Sequence, residues 1–181
     1  MRNASRGILI ASVVAAFAFP ATALATQSTT INAANAPTGT HLKSGSAFPT
    51  CTVSSSLNIT CGPAFTLAGV GNTNATANLS ATYSATVVCI NGGGNPSDSQ
   101  HQGTFPASAS SGTLQSKNGN LTVPQLMVTA PTQQQFLAQQ TCPNPNWTPT
   151  IPGGIHLSSF TYTVSFVGFS GPYITISGND P

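Results

Sequence analysis

The chain has 181 residues, of which 3% are charged, and its formal net charge at pH 7 is +2. It contains no Glu, and after residue 25 its charged residues are Lys43, Lys117, Asp98 and Asp180, with a formal net charge of zero. We therefore expect no nucleic-acid partner and no polybasic membrane patch, because both require clustered lysines and arginines to neutralise phosphates or anionic lipids.

Residues 1–25 have the pattern of a secretory signal peptide. Arg2 and Arg6 form a short basic region, an apolar stretch covers residues 7–19, and an Ala-Leu-Ala sequence ends at Ala25. We predict cleavage near Ala25 and a secreted or cell-surface protein. The apolar stretch is shorter than the roughly 20 residues that a membrane-spanning helix needs, so we expect no transmembrane segment.

The rest of the chain is predicted to contain a lead-in and one domain. Residues 26–46 are rich in Thr, Asn, Ala and Gly and show little apolar periodicity, which is typical of a flexible or loosely docked segment. Residues 47–181 contain short alternating runs, and their number fits a single domain.

Four cysteines follow the predicted signal peptide: Cys51, Cys61, Cys89 and Cys142. An even number of cysteines in an oxidising compartment predicts two disulfides, and four cysteines allow three pairings. A zinc site would favour closely spaced cysteines, whereas the closest pair here has nine residues between its members. We therefore expect disulfides and no metal site.

The first two strands are predicted within the segment CTVSSSLNITC. Val53 on one side and Leu57 and Ile59 on the other flank three serines, a pattern typical of a β-hairpin. Cys51 and Cys61 terminate the two arms of this hairpin, so we predict a disulfide between them.

The clearest pattern in the chain begins at Asn74 and continues to Ile90. Apolar residues and Cys89 occupy the odd positions, and Ser, Thr and Asn occupy the even positions as far as Thr86. This period of two predicts a strand with one buried face. Because the strand exceeds the usual length of roughly 3–10 residues, we expect it to bend or to serve two sheets in succession. We predict the second disulfide between Cys89 and Cys142.

Turn-forming residues mark the connections in the second half of the chain. Residues 91–103, NGGGNPSDSQHQG, predict a long loop. Asn118 and Gly119 predict the turn of a second hairpin, because both tolerate the positive φ angles of a type I′ turn. Pro124 in the outgoing arm indicates an edge or a bulge, and residues 131–140 contain the one plausible helical turn.

Two further strands are predicted near the end of the chain. Apolar residues alternate with Thr and Ser over residues 160–166, and a last strand covers residues 174–176. Many short strands with almost no helical signal predict an all-β fold, which we interpret as an immunoglobulin-like antiparallel β-sandwich with two disulfides.

Several segments together resemble a known group of proteins. The segments are CTVSSSLNITCGPAFTLAGVGN, CINGGGN, KNGNLT and CPNPNW. They are similar to sequences of small secreted actinobacterial β-sandwich proteins of unassigned function, over roughly Cys51 to Phe166. The resemblance implies a sandwich with two disulfides and an extracellular or surface location, and it implies no reaction.

Residues suited to catalysis are scarce. A glycosidase needs two carboxylates flanking the scissile bond, whereas the chain after residue 25 has Asp98 and Asp180. Asp98 and His101 lie in one predicted loop, and the chain contains no G-x-S-x-G nucleophile motif. We therefore expect no enzyme activity and no cofactor.

An exported, uncharged β-protein without catalytic residues is interpreted as a structural or adhesive component of the cell surface or extracellular matrix. The alternative is a secreted carbohydrate-binding module for a cell-wall or matrix glycan, in which Trp147 stacks on a sugar and the 91–103 loop contributes polar groups. Trp147 could instead pack against the neighbouring disulfide and the core. The candidate ligand-binding residues are Trp147, Asn91, Asn95, Asp98 and His101.

Self-association through edge strands is expected because the chain has so few charges. Proteins usually protect edge strands with Lys or other charges, with Pro, or with bulges, and here Lys43, Lys117 and Pro124 provide little protection. We expect residues 26–46 or the C-terminal segment YITISG to add to an open edge of a neighbouring copy.

Overall fold

A computed structural model describes residues 26–179 of the chain. The predicted signal peptide, residues 1–25, lies outside the described residues, as do the last two residues. The described part folds mostly into antiparallel β-sheets, with one short α-helix and two disulfides. The predicted β-rich, disulfide-containing chain is therefore confirmed.

The strands and the helix follow one another with mostly short connections. The strands are β1 (Thr26–Ile31), β2 (His41–Leu42), β3 (Thr50–Val53), β4 (Ile59–Gly62), β5 (Phe65–Ala68), β6 (Ala75–Ile90), β7 (Pro96–Leu114), β8 (Asn120–Val123), β9 (Leu126–Val128), β10 (Thr148–Thr150), β11 (His156–Phe166) and β12 (Pro172–Asn179). The helix α1 (Gln133–Leu137) lies within the predicted region and begins with a capping box formed by Thr132 and Gln135.

Strand β6 is the centre of the largest sheet. On one side it pairs with β7 over almost its whole length, from Ala75 opposite Leu114 to Ile90 opposite Pro96. On the other side β11 pairs with the first part of β6, and β10 pairs with the last part. Strand β12 lies next to β11, and β1 lies next to β12 at the edge. The long strand therefore serves two partners in succession within one sheet, rather than two sheets.

Two smaller sheets have three strands each. One contains β2, β5 and β8, and the other contains β3, β4 and β9. In the β3–β4 hairpin Cys51 lies directly opposite Cys61, and the two form a disulfide. The second disulfide joins Cys89 at the end of β6 to Cys142. Both predicted pairings are confirmed, and they indicate an oxidising environment.

The core contains the apolar face of β6. Every odd-numbered residue from Ala75 to Cys89 is buried, as the alternation predicted. The alternate residues of β11 that begin at Phe160 and end at Phe166 are also buried. Among the side chains that the structure describes, none that is polar or charged is buried in this core, apart from the tyrosines with their hydroxyl groups.

Two fully buried tyrosines differ in how their hydroxyl groups are satisfied. The Tyr83 hydroxyl donates to the carbonyl oxygen of Leu57 at 3.0 Å. The Tyr162 hydroxyl is buried and has no hydrogen-bond partner among the described residues. Burial raises the pKa of Tyr83 to about 12 and also raises the pKa of Tyr162, because the core disfavours the charged phenolate.

Residues 26–46 form part of the fold, so the prediction of a flexible lead-in was wrong. Strand β1 pairs with β12 over six residues, and β2 pairs with β5. The side-chain amide of Gln27 also donates to the carbonyl oxygen of Cys51. The sequence signal was weak because an edge strand such as β1 buries few side chains, and its backbone pairing leaves no apolar pattern.

The predicted loop over residues 91–103 is also corrected. Residues 91–95 make a tight connection, and β7 begins at Pro96 and pairs with β6. The polar residues of β7 favour turns when considered alone. Pairing with the long β6 overrides that preference, because β propensity depends strongly on tertiary context.

The second predicted hairpin is confirmed only at its turn. Asn118 and Gly119 have positive φ angles of 50° and 71°, as a type I′ turn requires. The strands on either side do not pair with each other as a hairpin, since β7 pairs with β6 and β8 pairs with β5. Pro124 lies between β8 and β9, where it ends a strand.

Candidate functional site at the disulfide-linked end of the large sheet

The turn between β6 and β7 is held by the side chain of Asn91. Its Oδ1 atom accepts hydrogen bonds from the backbone N–H groups of Gly93 at 2.9 Å and Asn95 at 3.0 Å. The Asn91 and Asn95 backbones are also hydrogen-bonded to each other at 3.0 Å. Asn91 therefore shapes the turn, and its side-chain oxygen is already occupied twice.

Trp147 lies close to this turn because β10 pairs with the end of β6. Thr148, the next residue, is opposite Ile90. The Trp147 backbone N–H donates to the carbonyl oxygen of Asn144 at 3.0 Å, which fixes the approach to β10. Its side chain is partly exposed. The β6–β10 pairing therefore places the Trp147 backbone next to the turn that begins the predicted 91–103 loop.

His101 lies farther along β7 and belongs to a second part of the site. It is opposite Val87 and partly exposed. Because cross-strand partners share one face of a sheet, His101 lies on the same face as Val87. His101 lines an open cavity of about 400 Å³ beside the second disulfide. The lining residues are Gln100, His101, Thr141, Cys142 and Pro143. Asp98 lies in β7 between the turn and His101, and its side chain is outside the described part of the chain.

The structure therefore divides four of the five predicted ligand-binding residues into two groups, and the side chain of Asp98 is not described. Trp147 lies by the turn of Asn91 and Asn95, and His101 lies by the Cys89–Cys142 disulfide. The sequence analysis missed Gln100, Thr141 and Pro143. The disulfide predicted for Cys142 was the available signal, since it brings the residues around Cys142 to the end of β6.

The described side chains at this end of the sheet offer aromatic, amide, hydroxyl and imidazole groups. Within residues 26–179, no group of three or more His, Cys, Asp or Glu side chains could hold a metal ion. A partly exposed indole, a hydrogen-bonded turn and amide side chains can stack on and hydrogen-bond to a sugar. In the described residues, no helix has the length and apolar character needed to cross a membrane.

Comparison of the chain with protein-family models, with curated proteins and with solved structures found no match.

Proposed function

We propose that the protein is an exported, non-catalytic structural or adhesive component of the cell surface or extracellular matrix, with its sheets packed as an immunoglobulin-like β-sandwich. The observation that carries this proposal is the uncharged free edge of β1. Two disulfides favour export to an oxidising compartment. Residues 1–25 would then act as the signal peptide.

The outer face of the large sheet supports a role in contacts rather than in chemistry. Cross-strand pairing aligns hydroxyl and amide side chains in rows that cross five strands. One row contains Ser110, Asn78, Thr163, Thr175 and Thr30, and the next contains Ser108, Ser80, Thr161, Ser177 and Ser28. None of these residues is charged, so another neutral surface can approach this face without charge repulsion.

Within the described residues, the backbone of β1 is paired on one side only. The Asn32 backbone N–H donates to the carbonyl oxygen of Tyr173 at 2.8 Å. Hydrogen-bonded and non-hydrogen-bonded pairs alternate in an antiparallel ladder, so the N–H and C=O groups of Gln27, Thr29 and Ile31 are directed away from β12. Among the described strands, β12 is the one partner of β1. An unprotected edge of this kind can pair with another chain.

The two segments predicted to add to a neighbouring copy differ in availability. Strand β12, which contains YITISG, lies between β1 and β11 and has a partner on both sides. Strand β1 is paired on one side, and no strand of the described part of the chain pairs with its other edge. Self-association would therefore use the open edge of β1 rather than a detached terminal strand.

The opposite edge of the sheet is better protected. Strand β7 contains Pro96 and Pro106, and Gln140 donates from its side chain to the carbonyl oxygen of Thr104 at 3.4 Å. Prolines and covering side chains protect edges against pairing. Contact between two β1 edges would produce a closed twofold dimer with one continuous sheet.

Sedimentation of residues 26–181 at increasing concentration tests this proposal. The wild-type chain should dimerise with weak salt dependence, because no charged pair is involved. Thr29→Lys should give a monomer, because it puts a charge at the free edge. Ser80→Lys is the matched control, since it adds the same charge to the outer face of an interior strand and should leave the dimer intact. A wild-type monomer at all concentrations would contradict the proposal.

A carbohydrate-binding module is the second candidate. The specific observation in its favour is the position of the partly exposed Trp147 next to the Asn91–Asn95 turn. Glycan-array binding that is lost in Trp147→Ala would support it. Met127→Ala is a suitable control, because Met127 is 59% exposed and lies in a different sheet.

A further inference from the structure

The described part of the chain has two lysines, and both line one open cavity. Lys43 and Lys117 border a groove of about 530 Å³, called here the lysine groove. It lies between the β2–β5–β8 sheet and the chain that follows β7. Its lining residues are Lys43, Thr66, Thr113, Leu114, Gln115, Lys117, Asn118, Asn120 and Thr122.

The β2–β5–β8 sheet positions Lys43. The backbone N–H of Lys43 donates to the carbonyl oxygen of Thr66 at 2.9 Å, which continues the β2–β5 pairing by one residue. Thr66 is in turn opposite Thr122, and their hydroxyl oxygens are 3.2 Å apart. Their strand neighbours Leu67 and Leu121 are buried. Lys43 and the two threonines therefore form a row on the outward face of a sheet whose other face packs into the core.

The type I′ turn positions Lys117. Its backbone N–H donates to the carbonyl oxygen of Asn120 at 2.7 Å, and the Asn120 N–H donates back at 3.0 Å. Asn120 is the first residue of β8, so the turn holds Lys117 beside the same small sheet. The backbone of Lys117 is thus fixed, while its side chain is exposed.

Neither lysine is neutralised within the described residues. Both side chains are exposed, and neither forms an ion pair or hydrogen bond there. Asp98 lies near the start of β7, whereas Thr113, near its end, lines the groove. These positions are separated by roughly 50 Å of extended strand at about 3.3 Å per residue. The groove therefore combines two positive charges with hydroxyl and amide groups, far along the strand from the one acidic residue of the described part.

We propose that the lysine groove binds an oxyanion, phosphate or carboxylate, carried on a sugar or polyol chain. The two ammonium groups would bind the anion through charge-assisted hydrogen bonds. Thr66, Thr122 and Asn118 would bind the neutral hydroxyl groups next to it. The inference rests on the proposed surface role, for which it names an anionic, polyhydroxylated partner. It does not depend on pairing of the β1 edge.

A repeating ligand suits an open groove on an otherwise neutral protein. Each exposed lysine contributes little to the affinity for a single anion. A polymer that presents many anions to several protein copies would bind more tightly through avidity. Binding should weaken as salt concentration rises, because exposed charges are screened.

The test measures binding of residues 26–181 to four immobilised polymers: poly(glycerol phosphate), polygalacturonate, neutral dextran and polylysine. We expect binding to at least one of the two anionic polymers and not to dextran or polylysine. Binding to the phosphate polymer identifies phosphate as the anion, and binding to the uronate polymer identifies carboxylate. Binding to neither anionic polymer overturns the proposal.

Substitution of the two lysines locates the binding. Lys43→Gln with Lys117→Gln should reduce binding at least about fivefold, whereas Lys43→Arg with Lys117→Arg should retain it. Thermal unfolding should be unchanged in both variants, because both side chains are exposed. In NMR titration with inorganic phosphate, the amide signals of Lys43, Thr66 and Asn118 should shift. Unchanged polymer binding in the double Gln variant overturns the proposal.

The same variants separate this proposal from the one for β1. The lysine variants should leave dimerisation intact. Thr29→Lys should leave polymer binding by the protomer intact. This binding is measured with the protomer immobilised and the polymer free in solution. A wild-type chain that binds the anionic polymer but does not dimerise contradicts β1 pairing alone, and one that dimerises but does not bind either anionic polymer contradicts the lysine groove alone.

Discussion

Replacing each buried tyrosine with phenylalanine should change stability in opposite directions. Tyr83 lies in β6 and Tyr162 in β11, and both side chains are fully buried in the same core. The substitution removes one oxygen atom at each position and keeps the aromatic ring. The two variants therefore differ mainly in whether the lost hydroxyl had a partner.

The expected magnitudes come from the hydrogen bonding. The Tyr83 hydroxyl donates to the carbonyl oxygen of Leu57 at 3.0 Å, and a typical hydrogen bond contributes about 1 kcal/mol net to stability. Tyr83→Phe should therefore lower the free energy of unfolding by about 1 kcal/mol. The Tyr162 hydroxyl has no partner among the described residues, and a buried unsatisfied group costs roughly 1–3 kcal/mol. Tyr162→Phe should therefore raise the free energy of unfolding by at least about 1 kcal/mol.

Urea denaturation and calorimetry of residues 26–181 measure this difference. For a domain of this size, 1 kcal/mol corresponds to roughly 2–4 °C in Tm. The two variants should therefore differ by about 4–8 °C, with Tyr162→Phe above the wild type. If Tyr162→Phe is as destabilising as Tyr83→Phe, the Tyr162 hydroxyl is satisfied in solution and the reasoning is refuted.

Three other predictions concern pH, a close contact and the disulfides. Above about pH 10, the free energy of unfolding measured in urea should fall as pH rises. The reason is that the buried tyrosines keep their protons at pH values where the unfolded chain has lost them. A variant with both Tyr83→Phe and Tyr162→Phe should show a smaller fall in this free energy per pH unit. Gly69→Ala should lower Tm more than Gly71→Ala, since both positions have positive φ but only at Gly69 would a Cβ collide with the Gly39 carbonyl group. Cys142→Ala should lower the free energy of unfolding more than Cys61→Ala. The Cys89–Cys142 disulfide closes a loop of 53 residues, and the Cys51–Cys61 disulfide closes one of 10 residues. Chain-entropy estimates of the stabilisation are about 4 kcal/mol for the longer loop and about 3 kcal/mol for the shorter one. Equal Tm losses for the two glycine variants, or equal losses for the two cysteine variants, would contradict the corresponding argument.

The candidate site was predictable only where a covalent or local constraint marked it. The Cys89–Cys142 pairing was predicted from the sequence, and it correctly places the residues around Cys142 at the end of β6. The convergence of Lys43 and Lys117 had no sequence signal. It results from the pairing of β5 with both β2 and β8, strands that lie far apart in the chain.

Local sequence patterns failed to predict strands in polar segments whose extended conformation depends on pairing with a neighbouring strand. Residues 26–31 and 96–103 have no apolar alternation, yet both are strands. Their backbone groups pair with β12 and β6, and their side chains remain mostly exposed at the edges of the large sheet. A propensity scale describes side chains and therefore cannot detect a strand that is held by its backbone.

The sequence by itself determined the buried face of β6, the β3–β4 hairpin, the tight turn at Asn118 and Gly119, and both disulfides. All of these except the Cys89–Cys142 disulfide depend on residues close together in the chain or on the alternation within one strand, and such information is local. The Cys89–Cys142 pairing, at a separation of 53 residues, follows once Cys51 and Cys61 are paired, because these two cysteines then remain. Only the tertiary structure decided which strands are neighbours, which edge remains open, and which distant polar residues share a groove. These features depend on long-range backbone pairing, which brings together segments whose own sequences do not specify a partner.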